Sequence, residues 1–174
     1  MDIAPKPQWS EARADPTANP RIAVIIPCYR VRAAILDVIT RIPANIETII
    51  CVDDCCPERA GDLVEAECRD QRVVVVRNAK NLGVGGAMIA GYQAALARGM
   101  DIVAKIDGDG QMDPAILPDF VDPLIAGLAD YTKGNRFFWP KSIHGMPKLR
   151  LIGNAGLMLR RLPGPLPSRR SGEL

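Results

Sequence analysis

The sequence predicts an α/β fold: a mostly parallel sheet with helices on both faces, in three α/β/α layers. Three observations predict it. Short apolar runs rich in β-branched residues alternate with stretches whose apolar residues recur at helical spacing. Strand, helix, strand, helix is the order of right-handed crossover units. Polar residues gather just after the apolar runs, where open α/β sheets hold their ligands.

Residues 1–20 carry four prolines and little apolar periodicity, so they read as a flexible leader. Ile22 to Ile26 is a continuous apolar run closed by Pro27, which suits a buried parallel strand. Ile35, Val38, Ile39 and Ile42 place an amphipathic helix over 32–42. Ile46 to Val52 is a second strand, ending in Asp53-Asp54. Leu63, Val64 and Cys68 share one face of a helix over 58–69. Val73 to Val76, β-branched throughout, is a third strand. Asn78 to Gly83 is a loop, and Gly85 to Ala97 an Ala-rich helix. Asp101 to Ile106 is a fourth strand that runs into Asp107-Gly108-Asp109-Gly110. Residues 114–127 read as a helix broken or kinked by Pro118 and Pro123, and Tyr131 to Lys133 as a short fifth strand. The domain then covers 21–156, and 157–174 is an irregular basic tail.

With 174 residues, 48% apolar and 24% charged, the chain can build one globular domain with a core. No apolar run reaches the roughly 20 residues of a membrane-spanning helix. Asp2, Pro5, Pro7 and Glu11 interrupt the start, which excludes a secretory signal and predicts a cytoplasmic location. Five cysteines without that signal read as reduced thiols. Cys51, Cys55 and Cys56 cluster, but a zinc site usually takes four Cys or His ligands, and the only histidine is His144. The net charge of +2 hides an asymmetry: residues 1–130 hold 13 basic and 19 acidic residues, and 131–174 hold 9 and 1. A basic end attracts phosphates, nucleic acid or an anionic membrane surface, or is simply a solvated tail.

Asp107-Gly108-Asp109 puts two carboxylates at the end of an apolar strand. Such neighbours repel, and a divalent cation such as Mg²⁺ or Mn²⁺ resolves the repulsion while bridging to a diphosphate. Asp-Gly is also ordinary turn chemistry. Asp53-Asp54 ends its strand the same way; a carboxylate there can accept hydrogen bonds from a nucleobase or ribose, or cap the following helix. Gly83, Gly85 and Gly86 resemble a dinucleotide fingerprint, yet they follow the third strand, and Pro27-Cys28-Tyr29-Arg30 after the first contains no glycine. They read as a tight turn and close packing, not an NAD site. Arg136, in Lys133-Gly134-Asn135-Arg136, suits a bidentate phosphate clamp or an ordinary basic loop.

Taken in order, Val24-Ile25-Ile26-Pro27-Cys28-Tyr29, Val52-Asp53-Asp54, Asn81-Leu82-Gly83 with Gly91 and Ala94-Ala95, and Asp107-Gly108-Asp109-Gly110-Gln111 resemble a family 2 glycosyltransferase of the GT-A, Rossmann-like type. The Asp-x-Asp-Gly-Gln form and Lys133 to Arg136 are similar to the dolichyl- or polyprenyl-phosphate sugar transferase branch. The resemblance covers about residues 21–156. It implies inverting transfer from a GDP- or UDP-sugar to polyprenyl phosphate or a cell-envelope glycan. Pro27 and Tyr29 would line the base, and Asp53 would hold base or ribose, with Asp54 beside it. Asp107 and Asp109 would hold the metal and diphosphate. Gln111 would lie beside the diphosphate or sugar. Asp109 and Arg136 would act in the transfer, Arg136 on acceptor or donor phosphate. The implied place is the inner face of a membrane, with peripheral contact to anionic lipid and no nucleic-acid partner.

Two departures stand out. Relatives often carry Asn or Glu just after the Tyr, where this chain has Arg30-Val31-Arg32. In relatives, a stretch like Gly153-Asn154-Ala155-Gly156 leads into the acceptor half. Here Met158-Leu159-Arg160-Arg161 gives way to Pro163, Pro165, Pro167 and Arg169-Arg170. The expectation is a C-terminally truncated chain that binds donor weakly and transfers little. A nucleotidyltransferase would carry a Gly-rich, Arg- and Lys-bearing loop after the first strand. A non-catalytic nucleotide-binding or membrane-surface module is the other alternative.

Overall fold

The computed structural model describes residues 19–134. The leader through residue 18, Arg136 and the tail over 157–174 lie outside the described residues. Among the described residues four strands form one sheet in the order β3-β2-β1-β4: β1 (Ile22–Cys28), β2 (Thr48–Asp53), β3 (Val73–Arg77) and β4 (Ile102–Lys105). Every pairing is parallel. Between them lie α1 (Ile35–Thr40), α2 (Ala60–Glu67) and α3 (Gly83–Ala97); after β4 come a 3₁₀ turn (Pro114–Ile116) and α4 (Leu117–Ile125).

Strand alternation divides the core in two. Ile22, Val24, Ile26 and Cys28 face one way and pack with Ile49 and Cys51, with Ile35, Val38 and Ile39 of α1, Val64 of α2, and Leu117 and Val121 of α4. Ala23 and Ile25 face the other way, with Ile50, Val52 and Ala87, Met88 and Ala95 of α3. The three expected layers are therefore present. Among the described residues α3 covers the second face, and it packs closely because of Gly91. A Cβ there would come within 2.5 Å of Ile25 Cγ2, so only glycine lets α3 lie this near β1.

Several boundaries differ from expectation. β1 does not end at Pro27 but continues to Cys28, with Pro27 opposite Val52. Ladder alternation explains why this costs nothing. Ile22 and Cys28 accept hydrogen bonds from the β2 side (Glu47 N at 2.9 Å, Asp54 N at 3.3 Å), and Ile25 accepts from Ile106 on the β4 side. Pro27 shares Ile25's side, where β4 has already ended at Lys105. Its missing N–H is therefore not needed. α1 is shorter than expected, since Arg32 to Ala34 form a turn and Ile42 is buried beyond the helix end.

The fifth strand expected over Tyr131 to Lys133 is absent: residues 131–134 have no strand pairing. Instead the Thr132 hydroxyl donates to the Phe120 carbonyl at 2.8 Å, tying the segment to α4 rather than to a sheet edge.

Candidate functional site at the carboxyl ends of β1 and β4

The chain runs from β1 outward through β2 and β3, then returns to the far side of β1 with β4. The carboxyl ends of β1 and β4 therefore flank the point where strand order reverses. This is where open α/β sheets leave a crevice for ligands. Pro27 and Tyr29 stand on one side of it, and Asp107-Gly108-Asp109 on the other.

On the β1 side, Pro27 is half-buried and Tyr29 is 41% exposed. The Arg30 guanidinium lies 5.6 Å from the Tyr29 ring centroid, in cation–π range. Arg30 has φ of 57°, a left-handed conformation that Asn adopts more readily than Arg. Its N–H donates to Cys56 Sγ at 3.1 Å. The Cys28 thiol, beside them, donates to the Ile26 carbonyl at 3.3 Å; the adjacent Cys51 thiol and burial push it well above the ordinary range. A thiol so held is a packing group, not a nucleophile.

On the β4 side, Gly108 is buried against β1 and α1. A Cβ there would meet Ile26 Cγ2 at 3.1 Å, Val31 Cγ2 at 3.2 Å and Ile35 Cδ1 at 3.3 Å. The glycine between the two acids is thus the seat of the loop, and the acids turn away from it toward solvent. The Asp107 side chain is 40% exposed, and its Oδ1 is salt-bridged to Lys105 Nζ. The repulsion expected between the two carboxylates is relieved in part by this lysine, which nothing in its sequence position singles out. Asp109 Oδ1 accepts the Gln111 N–H at 3.0 Å, closing a tight turn. Both the turn and the exposed acid pair therefore coexist at one motif. Gln111 is exposed at the end of that turn.

Among the described residues no three His, Cys, Asp or Glu side chains converge to hold a metal. Asp107 and Asp109 each keep a second oxygen free of hydrogen bonds to the described residues. That donor set fits Mg²⁺ or Mn²⁺ bound in the manner common for these ions, with one or two carboxylates from protein and the remaining oxygens from phosphate and water.

Asp53 and Asp54 sit between β2 and its loop and splay to opposite faces of the sheet. Asp53, 7% exposed, accepts the Cys56 N–H at 2.7 Å and the Gly61 N–H at 2.7 Å. It thereby caps α2, whose adjacent N-cap residue Arg59 offers no side-chain cap. Asp54, 2% exposed, accepts Asn78 Nδ2 at 2.8 Å and the Leu82 N–H at 3.0 Å. The sequence left open whether one acid binds ligand and the other caps; in the structure both carboxylates are occupied by the chain itself.

Residues 23–171 match the model of the family described as "Glycosyl transferase family 2". The chain belongs to that family. Its relatives within the family include a UDP-N-acetylglucosamine–dolichyl-phosphate N-acetylglucosaminyltransferase of Methanococcus voltae, 30% identical over 80% of this chain and 61% of the relative. They also include an undecaprenyl-phosphate mannosyltransferase of Micrococcus luteus, 29% identical over 70% and 54%. A polyprenol monophosphomannose synthase of Mycolicibacterium smegmatis is 32% identical over 76% and 51%. This family 2 chain thus spans about half to three-fifths of the length of the relatives it matches. Among its described residues, no helix is long and apolar enough to cross a membrane.

Proposed function

We propose that this family 2 chain binds the nucleoside-diphosphate end of a GDP- or UDP-sugar in the crevice between β1 and β4, for inverting transfer to polyprenyl phosphate or a related glycan acceptor. The observation that carries the reading is which side chains stand at the reversal of strand order. A half-exposed tyrosine ring stands on one rim and two solvent-facing carboxylates on the other, at the reversal of strand order. The names of the relatives, which pair nucleotide sugars or mannose with lipid phosphates, support the same substrate class.

In this reading Pro27 and Tyr29 line the nucleobase, and Asp53 underlies it from the end of β2. Asp107 and Asp109 hold Mg²⁺ or Mn²⁺ against the diphosphate. The bound ion would supply Lewis-acid neutralisation of charge on the leaving diphosphate. Gln111 lies beside the diphosphate or sugar, and Arg136 meets a phosphate of donor or acceptor. The acceptor attacks the anomeric carbon in line as the diphosphate leaves. A phosphate acceptor is already an anion and needs no strong general base. Transfer to a lipid phosphate takes place at a membrane surface, here its cytoplasmic face, with the basic residues after 131 toward anionic headgroups.

Calorimetry with UDP and with GDP, with and without Mn²⁺, tests the proposal. Metal-dependent binding of either nucleotide is expected. Binding of neither would refute the donor assignment.

A further inference from the structure

Asp54 is among the most buried charged residues described, and it faces away from the β1–β4 crevice, toward the side of the sheet that carries α3. Its Oδ1 accepts both Asn78 Nδ2 at 2.8 Å and the Leu82 N–H at 3.0 Å, and its Oδ2 approaches the same N–H at 3.1 Å. The backbone adds a further tie, from Asn78 N–H to the Asp53 carbonyl at 2.9 Å. Two residues of the β3–α3 loop, four apart, are therefore gathered onto one carboxylate at the end of β2. The loop has few other anchors. Leu82, the residue before α3, makes no side-chain cap, and both Leu82 and Val84 are exposed. Asn81 Oδ1 takes the Gly83 N–H at 2.8 Å, where the chain turns through φ of 73°. Among the described residues Asp54 alone receives the Leu82 N–H.

We infer that Asp54 is a positioning residue. It fixes the β3–α3 loop and the first turn of α3 at the carboxyl edge of the sheet, and so shapes the nucleotide site without touching the nucleotide. The inference rests on the proposed donor binding for its functional consequence, and on hydrogen-bond geometry alone for the clamp. Removing the buried Asp54 carboxylate leaves its part-buried donors on Asn78 and Leu82 without their acceptor, and the loop loses the ties that hold it. The loop then opens locally rather than the whole domain unfolding. Asn at 54 keeps an oxygen that can accept from both Asn78 and Leu82, so the conservative variant retains the clamp while losing the charge.

The test uses the full chain and four variants: Asp54→Ala, Asp54→Asn, Asn78→Ala and the Asp54→Ala/Asn78→Ala pair. Amide hydrogen exchange without nucleotide reads the clamp; calorimetry with UDP or GDP plus Mn²⁺ reads the site. Exchange at Leu82 is expected to rise about tenfold or more in Asp54→Ala and to stay near wild type in Asp54→Asn. Nucleotide affinity is expected to fall about tenfold in Asp54→Ala, to be rescued in Asp54→Asn, and to fall no further in the pair than in Asp54→Ala alone. Wild-type protection of Leu82 in Asp54→Ala would overturn the clamp. Losses that multiply in the pair would overturn action through the loop and make Asp54 a direct ligand contact. Should Asp54→Ala fail to fold, Asn78→Ala decides: faster exchange at Leu82 with weaker nucleotide binding supports the clamp and its role in the site, and wild-type values of both overturn them. If wild type binds neither nucleotide, the donor reading fails and with it any role of Asp54 in the site, while exchange still separates that outcome from loss of the clamp.

Discussion

The amide of Gly61 donates to Asp53 Oδ2 at 2.7 Å, and a Cβ on Gly61 would come within 2.5 Å of that same oxygen. The hydrogen bond and the absence of a side chain are one requirement. In an ordinary helical first turn, alanine stabilises relative to glycine by up to about 1 kcal/mol. Here Gly61→Ala should instead destabilise the protein by about 2 kcal/mol, because the carboxylate is displaced from both N–H groups it serves. Urea denaturation should show a lower midpoint with an unchanged slope.

α3 offers an internal contrast between two glycines. Gly91→Ala should cost about 1–3 kcal/mol, since its Cβ would press on the fully buried Ile25. A Cβ on Gly85 would have nothing within 4 Å, so Gly85→Ala should stabilise by roughly 0.5–1 kcal/mol. Equal effects at both positions in thermal melts would contradict the packing described for α3.

The acid pair after β4 should govern the metal-dependent part of nucleotide binding. Asp109→Ala and Asp107→Ala are each expected to abolish the gain in affinity that Mn²⁺ brings, about tenfold or more, while leaving the unfolding free energy from urea denaturation within about 0.5 kcal/mol of wild type. Full retention of that gain in both variants would remove these residues from the metal site.

An ion pair away from the crevice predicts a pH dependence. The Arg72 guanidinium, through its hydrogen bonds, holds the Asp70 carboxyl below its usual range against an opposing effect of burial. Arg72 also donates to the carbonyls of Pro43 at 2.7 Å and Ile46 at 3.2 Å, so the pair staples the α1–β2 connection. A depressed carboxyl stabilises the fold above its unfolded pKa of about 3.9, and that contribution is lost as pH falls through the lower folded value. The stability gap between wild type and Asp70→Asn should therefore be constant above about pH 5 and shrink below about pH 4. A gap that widened on acidification would refute the sign.

Much of the fold was legible because each strand is an uninterrupted apolar run and each layer follows from the order of elements. Boundaries were less so. Pro27 reads as a terminator by rule, and only the length of the neighbouring strand shows that its missing donor falls where none is needed. Tyr131 to Lys133 has the apolar and β-branched flavour of a strand, yet local propensity could not reveal that Thr132 is bonded to Phe120. At the site, Tyr29, Asp107 and Asp109 stand at strand ends, as their place after the apolar runs implied. Capping of the next helix was one reading of Asp53-Asp54, and Asp53 does so through Gly61; the work of Asp54 was hidden, since its partner Leu82 lies 28 residues away. Lys105 was hidden differently: it belongs to the strand itself, and a charge at the end of β4 looks like ordinary solvent exposure until its contact with Asp107 is seen.

Pro27 has one more consequence. A parallel ladder tends to extend wherever both strands can supply donors and acceptors, and an extended ladder between β1 and the segment after β4 would draw the backbone of Asp107-Gly108-Asp109 into the sheet. A ring nitrogen without hydrogen cannot take part. The ladder ends with the Ile106 N–H on the Ile25 carbonyl, and at Pro27 β1 carries no amide that calls for a partner or a water. The pairing of β1 with β4 is ended by an inability to bond rather than by a wedge.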